Sequence, residues 1–113
     1  MKSSGCVFCN IANKTIIADI VLESDNYIAF NDINGQAPIH VLLIPKKHYE
    51  NLSAIDNSEI CKDLMQGIKD VVTKLKIEDG YRVVINTGET GGQTVDHLHF
   101  HILAGRPLDW PPG

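Results

Sequence analysis

Three histidines at every second position near the C-terminal end constrain this chain most. The segment reads His97, Leu98, His99, Phe100, His101 and Ile102. Because a β-strand sends successive side chains to opposite faces, the alternation predicts three imidazoles on one face and three apolar groups toward the core. Imidazole serves as nucleophile, acid, base or metal ligand near neutral pH, so this cluster favours a chemical site. The alternative is a solvated strand face or a surface metal-binding tract.

The length and charge of the chain narrow the class of protein. It has 113 residues, of which 43% are hydrophobic, and a net charge of −4. This predicts a single domain over residues 1–113 with its own core. The dispersed lysines and arginines argue against a long nucleic-acid track and are compatible with one bound nucleotide. Without a signal-peptide pattern or an apolar run of about 18 residues, we expect a cytoplasmic protein that does not span a membrane.

The fold class expected from the pattern is α+β, with one long helix on a five-stranded antiparallel sheet and a short N-terminal helix. The expected strands are the β-branched and aromatic runs near 17–22, 26–31, 39–45, 81–86 and 96–103. Apolar residues at three- and four-residue steps predict the long helix over 58–76, opened by a capping box of Asp56 and Glu59. The proline-rich tail 105–113 is expected to be irregular, with Trp110 packed against the body or a partner.

Two of the three cysteines form a Cys-x-x-Cys pair, Cys6 and Cys9. In a reducing compartment this spacing indicates a metal or redox site, because three cysteines do not make a disulfide framework. Phe8 and Ile11 lie at helical spacing, which predicts a short helix that holds both sulfurs. The third cysteine, Cys61, is expected on the buried stripe of the long helix as an ordinary apolar residue.

Segments that match a known protein family extend over nearly the whole chain. They are Cys6-Val-Phe-Cys-Asn-Ile, Ala29-Phe-Asn-Asp-Ile, Ala37-Pro-Ile-His-Val-Leu-Leu-Ile-Pro-Lys-Lys-His48, Gly80-Tyr-Arg-Val-Val-Ile-Asn86, Gly92-Gln-Thr-Val, His97 to Ile102, and Trp110-Pro-Pro-Gly113. In these segments the chain resembles the histidine triad (HIT) superfamily, and within it the nucleotide-binding phosphoramidases of the HINT type. The resemblance implies a HIT-like fold that forms a two-fold homodimer through residues 81–86 and the long helix.

The resemblance also implies a nucleotide site. Asp32 and Ile33 would hold the ribose and the base. The residues around the phosphate would be Asn86, Gly92, Gln93 and Thr94. A carboxylate suits two ribose hydroxyls, glycine lets backbone N–H groups approach a phosphate, and a threonine hydroxyl can donate or relay a proton. The alternative, on the residues alone, is that Asp32 is a turn residue and Asn86 a strand-end cap.

The same resemblance makes His99 the nucleophile, with His97 and His101 beside it and His40 orienting the imidazole network. His99 is the central imidazole, so a neighbour on each side can fix its tautomer and aim one nitrogen at phosphorus. His101 would then hydrogen-bond a phosphoryl oxygen.

Zinc is the expected metal. The gap between Cys6 and Cys9 places two thiolates on one tetrahedral ion, and two histidines would complete a closed structural set. By resemblance those histidines are His48 and His97. The alternative is that both cysteines are reduced thiols near the surface. No organic cofactor is expected.

The function implied by the resemblance is hydrolysis of the P–N bond of purine nucleoside phosphoramidates through a nucleotidyl-histidine intermediate, with an AMP-like product. One alternative uses the same chemistry on dinucleoside polyphosphates or in nucleotidyl transfer. Another is a zinc-stabilised nucleotide-binding or scaffold module whose turnover is incidental.

Overall fold

One antiparallel sheet forms the centre of the protein. The computed structural model describes residues 5–113. Its strands are β1 (Ile20–Glu23), β2 (Tyr27–Asn31), β3 (Ile39–Pro45), β4 (Arg82–Ile85) and β5 (Phe100–Ala104). They lie in the order β1-β2-β3-β5-β4, and every neighbouring pair is antiparallel. The expected five-stranded antiparallel sheet is therefore confirmed.

Helices cover the two faces of this sheet. The helix α2 (Ser58–Lys74) packs on the face that includes Ala29, Val41, Leu43, Leu98, Phe100 and Ile102. The short helix α1 (Val7–Ala12) packs on the opposite face, against Ile28, Phe30, Leu42 and Ile44. A 3-10 turn at Leu52–Ala54 precedes α2. The α+β architecture with one long and one short helix is thus confirmed.

The histidine segment crosses the boundary between a bend and a strand. Strand β5 begins at Phe100, four residues after the expected start at 96. Before it, the Leu98 N–H donates to the carbonyl oxygen of Tyr49 at 2.7 Å, outside the sheet ladder. The alternation of faces still extends through this bend, because Leu98 and Phe100 both lie in the core beneath α2. The three imidazoles are consequently directed toward α1.

Two details of α2 differ from expectation. Its N-cap is Asn57, whose side-chain oxygen accepts from the Glu59 N–H at 2.9 Å, so the predicted capping by Asp56 was wrong. Cys61 is exposed, so its predicted burial was also wrong. The buried stripe follows Leu64, Gly67, Ile68 and Val71, and Cys61 lies on the solvent flank of that stripe with the half-exposed Met65.

A glycine sets the distance between α2 and the sheet. A Cβ at Gly67 would lie 3.1 Å from Leu43 Cδ2 and 3.1 Å from the ring of Tyr27. Helix interiors normally disfavour glycine by about 1 kcal/mol relative to alanine. Here its lack of a side chain lets the helix approach β2 and β3 closely.

The C-terminal tail is irregular, as expected, and hydrogen bonds attach it to the sheet. Arg82 Nη2 donates to the carbonyl oxygens of Leu108 at 3.2 Å and Asp109 at 2.8 Å. Trp110, beyond these contacts, is 80% exposed, so it does not pack against the body of its own chain. Neither helix of the described chain has both the length and the hydrophobicity needed to cross a bilayer.

Candidate functional site

Two cysteines and two histidines converge where α1 meets the ends of β3 and the histidine segment. The ligand atoms of Cys6, Cys9, His48 and His97 all lie within 4.8 Å of one another. Cys6 Sγ is 3.3 Å and Cys9 Sγ 3.5 Å from His97 Nδ1, and Cys9 Sγ is 3.2 Å from His48 Nδ1. Bonds of about 2.3 Å to sulfur and about 2.0 Å to nitrogen would separate S and N by about 3.5 Å around a tetrahedral zinc. The donor set and its spacing therefore fit a metal ion.

Hydrogen bonding orients one of these histidines toward the sulfurs. His97 is fully buried, and its Nε2 lies 2.9 Å from the carbonyl oxygen of Pro45. A carbonyl oxygen can only accept, so Nε2 carries the proton and Nδ1 presents a lone pair to the cysteines. Burial lowers the pKa of His97 to about 4, which keeps the ring neutral. Neutral imidazole with its second nitrogen bonded to a carbonyl is the usual state of a histidine metal ligand.

Burial also acts on one of the thiols. Together with a smaller effect of the neighbouring Cys6, it raises the pKa of Cys9 to about 11. Without a cation, Cys9 is therefore held as a thiol. A coordinated divalent cation reverses this preference by deprotonating the sulfur ligand.

A hydrogen bond to the backbone of His97 holds the central imidazole, which is that of His99. The Nδ1 of His99 lies 2.8 Å from the carbonyl oxygen of His97, so Nδ1 carries the proton and Nε2 keeps its lone pair. His99 is only 5% exposed, and the ring of Phe8 packs edge-on against it at 5.1 Å between centroids. These contacts fix both the tautomer and the orientation of the ring.

A second chain of hydrogen bonds fixes the third imidazole. The backbone N–H of Gln36 donates to His40 Nδ1 at 3.0 Å. His40 must then carry its proton on Nε2, which lies 2.9 Å from His101 Nδ1 and 3.4 Å from Asp32 Oδ2. His101 accepts on Nδ1, so its own proton is on Nε2. Burial lowers the pKa of His101 to about 4, so a neutral ring with a directed N–H results.

A cavity of about 490 Å³ opens onto these imidazoles. Its polar lining includes Asp32, Thr94, His99 and His101. Its apolar wall includes Phe8, Ile11, Phe30, Ile33 and Leu42. Asp32 is oriented by a turn in which its Oδ1 accepts from the Asn34 N–H at 2.8 Å. The cavity therefore combines nucleophilic nitrogen, a hydrogen-bond donor and a carboxylate with an apolar surface that suits a small ligand with both polar and flat apolar parts.

The remaining residues expected at the phosphate belong to the loop over residues 86–93, and the lining of this cavity does not include them. Gln93 Nε2 donates to the carbonyl oxygens of Glu50 at 2.6 Å and Val95 at 2.9 Å, while its Oε1 accepts from the Gly88 N–H at 3.0 Å. Its amide thus fastens the loop to neighbouring backbone.

Two glycines shape the same loop. A Cβ at Gly91 would lie 2.3 Å from the Thr87 carbonyl oxygen, which requires glycine there. Gly92 has a φ of +85° and lies beside the Asn86 amide, whose Nδ2 is 4.0 Å from the position of a Cβ. The Gly92 N–H already donates to the Glu89 carbonyl oxygen at 3.0 Å.

Sequence reasoning missed two contributors to the site. Phe8 contacts the rings of both His97 and His99, and its position between the two cysteines was the available signal. The other contributor is the backbone N–H of Gln36, which orients His40. No side-chain pattern could have revealed that donor, because every non-proline residue has one.

Comparison with known proteins gives consistent matches. The HIT domain family model matches residues 13–108. The chain is 50% identical over 109 residues to an uncharacterized HIT-like protein of Synechocystis, covering 95% of this chain and 96% of that protein. It is 44% identical over 113 residues to a HIT-like protein of Synechococcus elongatus, covering 98% and 99%.

Solved structures show the same fold. A HIT family hydrolase from Legionella pneumophila superimposes with a TM-score of 0.92 at 41% identity, covering 96% of this chain and all of that one. A histidine triad protein from Clostridium difficile gives 0.87 at 43%, covering 92% and 93%. A histidine triad nucleotide-binding protein from Candida albicans gives 0.84 at 32%, covering 95% and 83%.

Proposed function

Because this chain belongs to the HIT domain family, we propose that it hydrolyses the P–N bond of purine nucleoside phosphoramidates through a nucleotidyl intermediate on His99. Structural neighbours described as a hydrolase and as a nucleotide-binding protein support the general class. The observation that carries the proposal is the geometry of His99. Its Nδ1 is bonded to the His97 carbonyl oxygen, which leaves Nε2 as a free nucleophile at the cavity.

The first step forms a bond between His99 Nε2 and the α-phosphorus and breaks the P–N bond. The departing amine takes up a proton, which the hydroxyl of Thr94 relays from solvent. As His99 becomes positively charged, its Nδ1–H stays bonded to the His97 carbonyl oxygen. In the second step, water attacks phosphorus and loses a proton to solvent through the Thr94 hydroxyl, the P–Nε2 bond breaks, and the nucleoside monophosphate is released with neutral His99 restored.

His101 stabilises the charge that develops on the phosphoryl oxygens. Its Nδ1 accepts from His40, so the remaining Nε2–H is the donor available in the cavity. A donor that is already oriented needs no reorganisation as negative charge develops, which is why such groups lower the barrier. His40 acts through His101 and orients it.

The nucleoside occupies the rest of the cavity. The carboxylate of Asp32 accepts hydrogen bonds from the ribose hydroxyls, and Ile33 covers the base. Ile33 is 96% exposed in the free protein, so covering a base would remove apolar surface from water. In this proposal the phosphate lies between Thr94 on the cavity lining and the loop of Asn86, Gly92 and Gln93, which adjoins that lining from outside. Gln93 contributes by holding the loop, since its side-chain amide is already hydrogen-bonded to backbone groups.

Zinc occupies the cluster of Cys6, Cys9, His48 and His97 in this proposal. The cluster supplies a closed set of two sulfurs and two nitrogens, which is the chemistry of a structural site. When bound, zinc would tie α1 to the backbone that carries His99. All chemical steps remain with the imidazoles and Thr94.

We also propose that the protein acts as a homodimer. Strand β4 lies at the edge of the sheet, and all four of its residues are only half-buried. Met65 and Cys61 are exposed on α2, and Trp110 is exposed on the tail. These surfaces agree with contacts through residues 81–86 and the long helix.

Steady-state rates on adenosine phosphoramidate and on a diadenosine polyphosphate test the proposed reaction. We expect AMP release from the phosphoramidate to be faster by at least tenfold. A preference for the polyphosphate would instead identify a dinucleoside polyphosphate hydrolase. Nucleotide binding without measurable turnover of either substrate would identify a binding module.

Rapid quenching with mass spectrometry under non-acidic conditions tests the intermediate. An adenylyl adduct on the peptide that contains residues 97–101 should map to His99. An adduct on His97 or His101 would contradict the assignment of the nucleophile.

A further inference from the structure

Two segments that are distant in sequence meet behind the imidazole network. They are the turn at residues 35–38 and the start of the tail at residues 105–106. The guanidinium of Arg106 donates twice to the carbonyl oxygen of Gln36, from Nη2 at 2.9 Å and from Nε at 3.3 Å. Its Nη1 donates to the Pro107 carbonyl oxygen at 2.9 Å. The side chain therefore joins the tail to the turn.

The backbone next to Arg106 is shaped for this contact. Gly105 has a φ of +96°, and a Cβ there would lie 2.8 Å from Pro38 Cβ. Only glycine allows the tail to approach the turn so closely with that backbone conformation. The close approach places Arg106 within reach of Gln36.

Gln36 connects this contact to the proposed chemistry. Its carbonyl oxygen accepts from Arg106, while its N–H donates to His40 Nδ1 at 3.0 Å. His40 in turn faces His101 Nδ1 with its Nε2 at 2.9 Å. The Gln36 N–H requires a lone pair on His40 Nδ1. The Asp32 carboxylate, 3.4 Å from His40 Nε2, also favours the proton on Nε2, so the Gln36 N–H acts together with Asp32 in fixing where the two rings carry their protons.

We propose that Arg106 is a positioning residue for the reaction, because by holding Gln36 it fixes the tautomer of His40 and thereby the Nε2–H of His101. Gln36 is exposed, and its N–H belongs to the peptide bond that joins it to Gly35. If Gln36 moved away, His40 could carry its proton on Nδ1 and present a lone pair to His101. His101 would then donate from Nδ1, and its Nε2 would present a lone pair to a phosphoryl oxygen. That arrangement opposes the proposed transition state.

Nuclear magnetic resonance of the free protein tests the positioning directly. Long-range ¹H–¹⁵N spectra distinguish protonated from bare ring nitrogens. In the parent protein, at neutral pH and with its metal content as purified, His40 should be bare at Nδ1 and protonated at Nε2. In Arg106→Ala, both tautomers of His40 should be populated. An unchanged single tautomer in a folded Arg106→Ala would overturn the proposal.

The other arginine of the chain offers a matched control. Arg82 also donates to carbonyl oxygens of the tail, at Leu108 and Asp109, but does not contact Gln36. Arg82→Ala should therefore leave the His40 tautomer unchanged. If both variants mix the tautomers equally, attachment of the tail as a whole is responsible, and the specific role of Arg106 is rejected.

Kinetics supply a second readout, which rests on the proposed function. For adenosine phosphoramidate, Arg106→Ala should lower kcat by about tenfold to a hundredfold, in the range expected for small misplacement of catalytic groups, with KM changed less than about threefold. Arg106→Lys, which keeps the charge but places all its N–H donors on one nitrogen, should recover part of the loss. A change in KM alone, or full activity, would contradict the proposal. If the parent protein lacks phosphoramidase activity, the proposed function fails, and the tautomer measurement still decides the role of Arg106.

Discussion

At the scale of single residues, the proposed chemistry depends on one nitrogen of His99. We expect His99→Ala to lower phosphoramidase turnover by several orders of magnitude and to change AMP affinity by less than about tenfold. The reason is that the bond to phosphorus forms only along the reaction path, so ground-state binding does not need it. Single-turnover rates and calorimetric titration with AMP measure the two effects. Substantial activity in the variant would remove His99 from the mechanism.

His101 gives a pH prediction at the same scale. Its pKa is lowered from 6.5 to about 4, first by burial and then by His99 and His40, while Asp32 acts in the opposite direction. The unfolded chain therefore binds a proton between about pH 6.5 and 4 that the folded chain does not bind. Stability due to neutral His101 is complete above this window and is lost as the pH falls through it.

The comparison that isolates His101 uses His101→Asn, which cannot titrate but still offers an acceptor to His40. Between pH 7 and pH 5, the free energy of unfolding should fall by about 2 kcal/mol more in the parent than in the variant. Urea unfolding at both pH values measures the difference, and effects of acid on the metal cluster are common to both proteins. Identical pH dependence would contradict the assignment.

The side-chain chemistry of the site was accessible from the sequence because the period-two alternation of histidines places them on one face. Backbone contributions were not accessible, since the Gln36 N–H and the His97 carbonyl oxygen leave no trace in residue type. The prediction that Cys61 is buried failed for a different reason. Helical spacing indicates the direction of a residue around the helix, but not whether the sheet extends far enough to cover it.

At the scale of elements, the cluster of cysteines and histidines joins α1 to the end of β3 and to the segment before β5. We expect protein purified without chelator or added zinc to contain close to one zinc per chain. Cys9→Ala should bind less than half an equivalent and should unfold at a lower temperature, because it removes a ligand that draws these elements together. Elemental analysis and thermal unfolding are the measurements.

The third cysteine provides the control for that experiment. Cys61 is exposed on α2, away from the cluster, so Cys61→Ala should leave the zinc content unchanged. A parent protein with well under half an equivalent of zinc would contradict the metal assignment.

Element identities followed from periodicity, whereas some element ends depended on tertiary contacts. The alternation in the histidine segment predicted a strand from 96, but the Leu98 N–H pairs with Tyr49 and β5 begins only at Phe100. The start of α2 depended on which of two adjacent cap-forming residues, Asp56 or Asn57, turned its side chain to the helix. No sequence pattern reveals the role of Gly67, because that role depends on the short distance from the helix to Leu43 and Tyr27.

At the scale of the whole molecule, the exposed apolar groups are unevenly distributed. Ile16, Ile17 and Ile33 lie around the cavity, where a bound base would cover them. A second set consists of the half-buried strand β4, Met65 on α2 and Trp110 on the tail. A bound nucleotide would not cover this set in the proposed site. A second copy of the chain would cover this second set, and it would also pair with the exposed edge of the sheet.

We therefore expect a species of twice the 12.5 kDa chain mass in sedimentation at micromolar concentration. Met65→Glu should shift the equilibrium toward monomer, because it places a charge in an apolar contact while the side chain is already 52% exposed in the single chain. Ile20→Glu is the matched control, since Ile20 is 41% exposed on β1 at the opposite edge of the sheet. It should remain dimeric. A 12.5 kDa species for the parent would reject the dimer, and dissociation by Ile20→Glu alone would place the interface at β1.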